Sequence, residues 1–222
     1  MTIAAVFDLD GTLYTGHIWQ GILQHHQSHR VKRLRLALYL GTHLSMWPLW
    51  RTGLIRETTT REMWAQNMGW TMSGWTVREA EQAFRWIAEE YVQPLARPDL
   101  LARLGDHQSA GHRVILLSGT PSPLLAEIGC HWRVTETVGT PLLLKNGRYS
   151  GRSERPVCQG AGKVARLQEH LEKSSPIDWE ASYGYADSYT DIPLLEAMGK
   201  PVAVYPDERL AAHARGQGWE II

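Results

Sequence analysis

The feature that most constrains this chain is a regular alternation of short apolar runs with helical segments over its second half. The segments SPLLAEIG, which closes at Gly129, GKVARLQEHLEK and DERLAAHARGQG have the spacing or composition of helices. The apolar runs between them are short enough for buried strands, and they are RVILL (113–117), ASYGYA (181–186) and PVAVY (201–205). This alternation predicts an α/β fold with a doubly wound, Rossmann-like parallel sheet covered by helices on both faces.

A further apolar run near the start of the chain ends in two acidic residues. IAAVF at residues 3–7 is followed by Asp8 and Asp10, and then by Gly11, which suits a tight turn. Residues two apart in a strand point to the same side, so the two carboxylates would repel each other unless a positive charge lies between them. The pattern therefore indicates a charged site at the end of this strand.

Between the first strand and the alternating half, the pattern changes to long helical segments without strand signals. We interpret residues 16–95 as an inserted helical cap, and residues 1–15 and 96–222 as the catalytic core. The hairpin signal Asn146-Gly147 falls within the core. Seven of the ten tryptophans lie in the predicted cap: Trp19, Trp47, Trp50, Trp64, Trp70, Trp75 and Trp86.

Composition excludes several classes of protein. The 23 basic and 23 acidic residues give no net charge, so we expect no nucleic-acid partner. Only Cys130 and Cys158 are present, which cannot form a disulfide framework, and the chain starts without a signal-like leader, so we expect a cytoplasmic protein. The apolar stretch LRLALYLGTHLSMWPLWRTGLI is interrupted by charged residues and a proline, and we therefore predict no transmembrane segment.

Polar residues follow three of the predicted strands. Asp8 and Asp10 end the first, Ser118 follows RVILL, Asp187 and Asp191 follow ASYGYA, and Lys163 starts a helix. The carboxyl ends of strands in an open α/β sheet meet in one crevice, so these groups are expected to converge there. A cluster of carboxylates beside one ammonium is tolerable when it binds a hard divalent cation, and we expect Mg²⁺.

Four motifs occur in order: DLDGT, LLSGTP, GKVARL and YADSYTDIPLLEAMGKPVAVYPDERL. In this order they resemble the motifs of the haloacid dehalogenase-like hydrolases, and most closely the phosphoserine phosphatase-like branch, subfamily IB. The resemblance covers the catalytic core, whereas the cap is similar mainly in its position and helical character. It implies a phosphatase that forms an aspartyl-phosphate intermediate.

The resemblance also implies a role for each motif residue. Asp8 is the implied nucleophile that attacks phosphorus, and Asp10 the acid that protonates the departing oxygen and later takes a proton from water. Ser118, the backbone amide of Gly119 and the Lys163 ammonium would bind the phosphoryl oxygens.

The implied Mg²⁺ ligands are Asp8, the backbone carbonyl of Asp10, and Asp187. Asp191 would position a metal-bound water or the lysine. The chain departs from the family pattern at Ala186, where Gly or Ser often precedes the metal-binding acid, and the methyl group removes one hydrogen bond but no ligand. We therefore predict an Mg²⁺-dependent phosphomonoesterase acting on a small phosphorylated metabolite or a lipid-like phosphate.

Alternatives stay open at this point. Taken singly, Asp8 and Asp10 could be turn residues, Ser118 and Asp191 helix caps, Lys163 a solvated residue and Asp187 a loop acid, although all these coincidences of type and order together are improbable. A phosphotransferase of the same fold, or a non-catalytic protein that binds phosphate or a lipid headgroup, would carry the same motifs. Oligomeric state is not encoded in these patterns.

The cap sequence leaves the substrate open. The resemblance implies that a member acting on phosphoserine has an acid shortly after the first motif to meet the substrate ammonium. No carboxylate lies between Gly16 and Arg56, which weakens the case for a substrate with an ammonium group. The basic run HHQSHRVKRLR, followed by an apolar segment, is typical of a solvated helix face, and it also suits an approach to a membrane surface. Its histidines His25, His26 and His29 lack acidic or cysteine partners, so we do not expect them to bind a metal.

Overall fold

A computed structural model describes residues 2–222, without the side chain of Trp50; Met1, the first residue of the predicted core, lies outside the described residues. The strands are β1 (Ala4–Phe7), β2 (Arg113–Pro121), β3 (Glu136–Thr140), β4 (Leu142–Lys145), β5 (Arg148–Ser153), β6 (Tyr183–Ala186), β7 (Lys200–Ala203) and β8 (Glu220–Ile221). Six of them form one sheet in the order β3-β2-β1-β6-β7-β8, and every neighbouring pair is parallel. The predicted parallel sheet is confirmed.

Ten α-helices accompany these strands in the described residues. They are α1 (Ile18–Ser28), α2 (Arg33–Leu44), α3 (Trp47–Arg51), α4 (Glu57–Asn67), α5 (Val77–Trp86), α6 (Pro98–Ser109), α7 (Ser122–His131), α8 (Ala161–Glu172), α9 (Ile192–Glu196) and α10 (Glu208–Gln217). Short 3₁₀ turns (Met68–Met72, Gln93–Leu95, Tyr189–Asp191) and a π-helical turn (Ile87–Val92) connect some of them.

Alternate residues of β1 pack against different helices. Ala5 and Phe7 belong to a buried cluster that includes residues of α6 and α7, whereas Ala4 and Val6 belong to a second cluster with residues of α8 and α9. Successive side chains of a strand point to opposite faces, so β1 is covered on both sides. This arrangement confirms the doubly wound, Rossmann-like architecture.

The segment between β1 and α6 is helical, as its pattern indicates. It contains α1 to α5, and its buried residues Ile22 and Phe84 share one apolar cluster with Phe7 and Leu125 of the core. Because the insert and the core are packed into a common cluster, the boundaries at residues 15 and 96 stay predictions.

The two-stranded hairpin of β4 and β5, which belongs to the core, is hydrogen-bonded to the insert. Asn146 and Gly147 both have positive φ angles, 52° and 71°, as a tight hairpin turn requires, so this turn is confirmed. The backbone of Tyr149 in β5 accepts from the amide of Gly74 (2.7 Å) and donates to the carbonyl of Trp75 (2.8 Å). Sequence patterns gave no sign of this contact between β5 and the insert.

The end of α7 differs from the prediction. The helix continues through Gly129 to His131, and the residue with a left-handed conformation after the helix is Arg133, with φ of 56°. A side chain at the position of Gly129 would bring its Cβ within 2.6 Å of the Val134 carbonyl oxygen. The expectation that Gly129 closes the helix was therefore wrong.

Within residues 2–222, none of the helices combines the length and apolar character needed to cross a bilayer. The long apolar stretch of the insert is divided between α2, which ends at Leu44, and α3, which begins at Trp47.

Candidate active site

Three carboxylates meet at the carboxyl edge of the sheet. Asp8 directly follows β1, Asp187 directly follows β6, and Asp191 ends the 3₁₀ turn after β6. Because β1 and β6 are neighbours, the Asp8 amide donates to the Tyr185 carbonyl over 2.9 Å. One carboxylate oxygen from each of the three acids lies within 4.8 Å of the others.

The Lys163 ammonium lies between two of these acids. Its Nζ is 2.6 Å from Asp8 Oδ1 and 2.7 Å from Asp191 Oδ2, and the side chain is only 2% exposed. Burial disfavours the ammonium charge, but the carboxylates of Asp191 and Asp8 raise the pKa of Lys163 above its ordinary value. Gly162 allows this start of α8, because a Cβ there would lie 2.1 Å from the Val157 carbonyl oxygen.

One ammonium does not balance three carboxylates. Burial, followed by the charges of Asp8 and Asp191, raises the pKa of Asp187 to about 8. Burial also raises the pKa of Asp191 to about 6, although Lys163 opposes this shift, and Asp191 Oδ1 has no hydrogen-bond partner among the described residues. An excess of buried carboxylate oxygens with an unused acceptor fits a hard divalent cation such as Mg²⁺.

Gly11 and Thr12 support the cluster, although the sequence assigned Gly11 only to a turn and gave Thr12 no role. Gly11 has φ of +78°, and a Cβ there would lie 2.1 Å from Asp187 Oδ2. The buried Thr12 hydroxyl is 3.3 Å from Asp187 Oδ1 and 3.4 Å from Asp8 Oδ2. Both residues belong to the DLDGT motif, so the motif was the sequence feature from which their role could have been predicted.

The Asp10 side chain is directed to other partners. Its Oδ1 accepts from the Tyr14 hydroxyl (2.6 Å) and its Oδ2 from the Ile18 amide (3.0 Å). Burial raises the pKa of Asp10 to about 6, although both hydrogen bonds lower it. Its carboxylate does not belong to the three-acid cluster, so a role for Asp10 in metal binding rests on its backbone carbonyl alone. Apart from its position four residues after Asp10, nothing in the sequence identifies Tyr14 as a partner of the Asp10 carboxylate.

Ser118 and Gly119 lie where β2 loses its regular register with β3, between Leu117 and Pro121. The Ser118 hydroxyl is 3.0 Å from the Thr120 hydroxyl and accepts from the Thr120 amide over 3.2 Å. Thr120 therefore orients Ser118, a contact that sequence reasoning missed.

Asp207 holds the loop that carries the metal-binding candidates. Its backbone amide donates to the Asp187 carbonyl (2.9 Å), and its Oδ2 accepts from the Tyr189 amide (2.8 Å). Its Oδ1 caps α10 by accepting from Leu210. Ala186, where the chain departs from the family pattern, is buried in the apolar cluster beneath this loop.

These residues open into one cavity of about 440 Å³ between the sheet and the insert. All seven sequence-predicted site residues line it: Asp8, Asp10, Ser118, Gly119, Lys163, Asp187 and Asp191. The insert closes the other side, mainly with aromatic and apolar side chains that include Trp19, Tyr39, Leu44, Trp47, Trp64 and Met68. We call the charged residues on the sheet side the floor of the cavity, and the mainly apolar residues of the insert its wall.

Comparison with known proteins agrees with this geometry. The family model described as haloacid dehalogenase-like hydrolase matches residues 5–196. The chain belongs to this family. The match begins within β1 and reaches the end of α9, so it includes all the predicted site residues.

Curated relatives carry phosphatase names. A probable phosphatase of Mycobacterium tuberculosis (strain H37Rv) is 28% identical over 150 residues, which cover 68% of this chain and 52% of that protein. A histidinol-phosphatase of Neisseria meningitidis serogroup C is 30% identical over 155 residues, covering 68% and 69% of the two chains. This haloacid dehalogenase-like chain spans about half the length of several of the curated relatives it matches.

Solved structures show the same fold. A protein of unknown function from Bordetella pertussis Tohama I superposes with a TM-score of 0.83 at 23% identity, over 100% of this chain and 99% of that one. A phosphoserine phosphatase in its apo form gives a TM-score of 0.65 at 14% identity, over 100% and 92%. At such identities the likeness describes the fold alone.

Proposed function

We propose that this chain is an Mg²⁺-dependent phosphomonoester hydrolase that acts through an aspartyl-phosphate. The observation that carries the proposal is the Lys163 ammonium placed between Asp8 and Asp191, with Asp187 beside them, at the base of a cavity. A site with both a nucleophilic carboxylate and fixed positive charge suits a phosphoryl group in transfer, whose negative charge is spread over three equatorial oxygens.

Asp8 would attack phosphorus. One of its oxygens forms the new O–P bond while the P–O bond to the alcohol breaks, and Asp10 donates the proton that the departing oxygen needs. In the second half, Asp10 takes a proton from water as the water oxygen attacks the phosphorus of the aspartyl-phosphate, and the bond between phosphorus and the Asp8 oxygen breaks, which restores the Asp8 carboxylate. Inorganic phosphate leaves, and both acids return to their starting forms.

The remaining site residues would hold the phosphoryl oxygens and the metal. Lys163, the Ser118 hydroxyl and the Gly119 amide are the donors for the oxygens. The side chains of Asp8 and Asp187 with the Asp10 carbonyl would hold Mg²⁺, which supplies positive charge that offsets the charge of the phosphoryl group. Asp191 would keep Lys163 in place.

The insert side of the cavity favours a leaving group without a positive charge. Glu57 is the carboxylate that the insert contributes to the cavity lining, and it pairs with Arg61 (2.9 Å) and Arg209 (3.6 Å). His43 Nδ1 lies 2.6 Å from the Tyr39 carbonyl, which requires a proton on that nitrogen, and its other nitrogen lies 3.2 Å from the Asn67 amide nitrogen. Among the described residues that line it, the insert side therefore offers aromatic contact and no unpaired acid for an ammonium group.

Phosphate release tests the proposal. The protein with Mg²⁺ is incubated with phosphoserine, histidinol phosphate, simple alkyl phosphates and lysophosphatidic acid. We expect turnover of at least one of them, and a loss on the order of a thousandfold or more in Asp8→Asn. Asp106→Asn, which neutralises an exposed aspartate on α6, is the matched control and should keep full activity.

Two results would defeat the proposal: no phosphate release from any ester, or equal rates in Asp8→Asn and wild type. Exchange of ¹⁸O from water into phosphate separates turnover from simple binding. Added acceptor alcohols that yield new phosphate esters in place of phosphate would identify a phosphotransferase.

A further inference from the structure

The outer side of α2 and the segment after it expose apolar side chains. Among the described residues, six of the eleven exposed large hydrophobic side chains lie between residues 34 and 54. We name them the outer apolar face: Leu34, Leu38, Leu44, Trp47, Leu49 and Leu54. Leu34 is 84% exposed and Leu54 is 74% exposed, so these side chains do not fill the interior.

The pattern along α2 shows that this exposure is not a by-product of core packing. Leu36, Tyr39 and His43 form the buried side of the helix. Leu34 and Leu38, four residues apart, lie on the opposite side, where a surface helix ordinarily has polar residues. The helix is therefore apolar on both sides.

The segment that carries the outer apolar face also carries exposed arginines. Five exposed arginines lie in or beside it, namely Arg30, Arg33, Arg35, Arg51 and Arg56. No Asp or Glu occurs from Gly16 to Arg56, and in the described part of the chain none of the five arginines forms an ion pair. The face thus combines apolar contact with a positive field, the two features that bind anionic lipid surfaces.

The outer apolar face also reaches the mouth of the cavity. Leu44 and Trp47 belong to the face, with 58% and 48% exposure, and both also line the cavity above Asp8. Tryptophan favours the boundary between headgroups and acyl chains. A surface bound to this face would therefore meet the entrance to the site.

We propose that the outer apolar face docks on the surface of an anionic lipid bilayer and presents the cavity mouth to a phosphate monoester held in that bilayer. Docking itself does not depend on the proposed function. The entry of a substrate from the bilayer into the cavity does rest on the proposed function. The arginines contact lipid phosphates, while the leucines and Trp47 enter the outer part of the acyl layer.

Flotation with vesicles tests docking. Vesicles of phosphatidylcholine with about 30% phosphatidylglycerol should bind at least about tenfold more protein than pure phosphatidylcholine vesicles, and added salt should weaken this binding. Arg33→Gln with Arg35→Gln should reduce binding about tenfold. Leu34→Gln with Leu38→Gln, neither of which lines the cavity, should reduce it at least about fivefold.

Two matched controls lie outside the face. Arg78→Gln with Arg215→Gln removes two exposed arginines from α5 and α10, and Leu143→Gln with Leu144→Gln removes two exposed leucines from β4. Both should bind within about twofold of wild type. Asp8→Asn should also bind normally, so loss of catalysis and loss of docking give separate results.

Three outcomes would overturn the proposal. Equal binding to both vesicle types is one, and equal weakening by face and control variants is another. The third is a concentration-dependent dimer, seen by sedimentation velocity, that Leu34→Gln with Leu38→Gln dissociates while vesicles bind no protein; the face would then contact a second copy. Circular dichroism and melting temperatures confirm that the variants fold.

Discussion

Lys163 is the residue on which the electrostatics of the site depend. It is buried beside Asp8 and Asp191, and each of them lies within hydrogen-bond distance of its ammonium. Removing the cation from such a group leaves buried carboxylates that must either stay charged without a partner or take up protons.

Lys163→Met is therefore expected to lower the free energy of unfolding by about 3 kcal/mol without metal, in addition to abolishing turnover. The loss is measured by urea denaturation. Lys173→Met, which removes an exposed lysine just beyond the end of α8, should unfold at nearly the wild-type urea concentration. Equal midpoints for the two variants would contradict the idea that Lys163 holds the acids together.

Gly11 is a second position at which a single added carbon atom is expected to change activity. Gly11→Ala would place a methyl group against Asp187 and add strain at positive φ, and we expect a loss of activity of at least about a hundredfold. Gly111→Ala is the matched control, because Gly111 has φ of +73° with nothing within 4 Å of an added Cβ.

Both variants should lose about 1 kcal/mol of stability through backbone strain, while only Gly11→Ala should lose activity. Urea denaturation and phosphate release measure the two effects separately. An active Gly11→Ala enzyme would mean that the position of Asp187 is not critical.

At the scale of elements, three helices of the insert converge on one side chain. Trp64 of α4 packs edge-on against Trp19 of α1 and Tyr39 of α2, with ring centroids 5.8 and 5.6 Å apart, and it lines the cavity. The wall that would contact the leaving group is thus built from several elements around Trp64.

Trp64→Ala is expected to raise KM about tenfold for an ester with a large apolar alcohol and to change kcat/KM for methyl phosphate less than about threefold. Steady-state kinetics with both esters measures the split. Trp219→Ala, which removes a tryptophan packed on His213 outside the cavity, should leave both values near wild type. An equal loss for both esters would indicate general damage and not a specificity wall.

At the scale of the whole molecule, buried histidines make stability depend on pH. Burial, with a contribution from the neighbouring His112, lowers the pKa of His107 to about 4, and its Nε2 lies 2.8 Å from the Tyr185 hydroxyl. Below pH 6.5 the unfolded chain binds a proton at His107, whereas the folded protein does not bind this proton until about pH 4. His107 therefore contributes a decrease in the free energy of unfolding as pH falls across this window, whereas the raised pKa values of Asp187, Asp191 and Asp10 contribute in the opposite direction.

His107→Asn should remove about 1–2 kcal/mol of this decrease between pH 6.5 and 4, after allowance for solvent screening. The measurement is urea denaturation at several pH values, with slopes compared between variants. His131→Asn, at an exposed position that ends α7, should retain the wild-type slope. A wild-type slope in His107→Asn would show that other groups cause the acid sensitivity.

Local sequence patterns were sufficient to predict the fold of the core, because each of its strands and motifs is recognisable within a few consecutive residues. The apolar run before Asp8 and the alternation after Arg113 predict strands whose carboxyl ends share one edge of a parallel sheet, so six site residues could be named together. Gly119 was added through the family resemblance. The supporting groups Thr120 and Asp207 could not be named, because their hydrogen bonds depend on the bend of β2 and on how the loop after β6 meets α10.

The sequence alone therefore determined the parallel fold and the charged floor of the cavity, since strand periodicity and the order of the motifs act along the chain. Only the tertiary structure decided how the insert closes that cavity and which side of α2 faces solvent. Helical spacing could not distinguish these arrangements, because α2 has apolar residues on both sides. Packing of Tyr39 and His43 against Trp64 of α4 selects which side is buried.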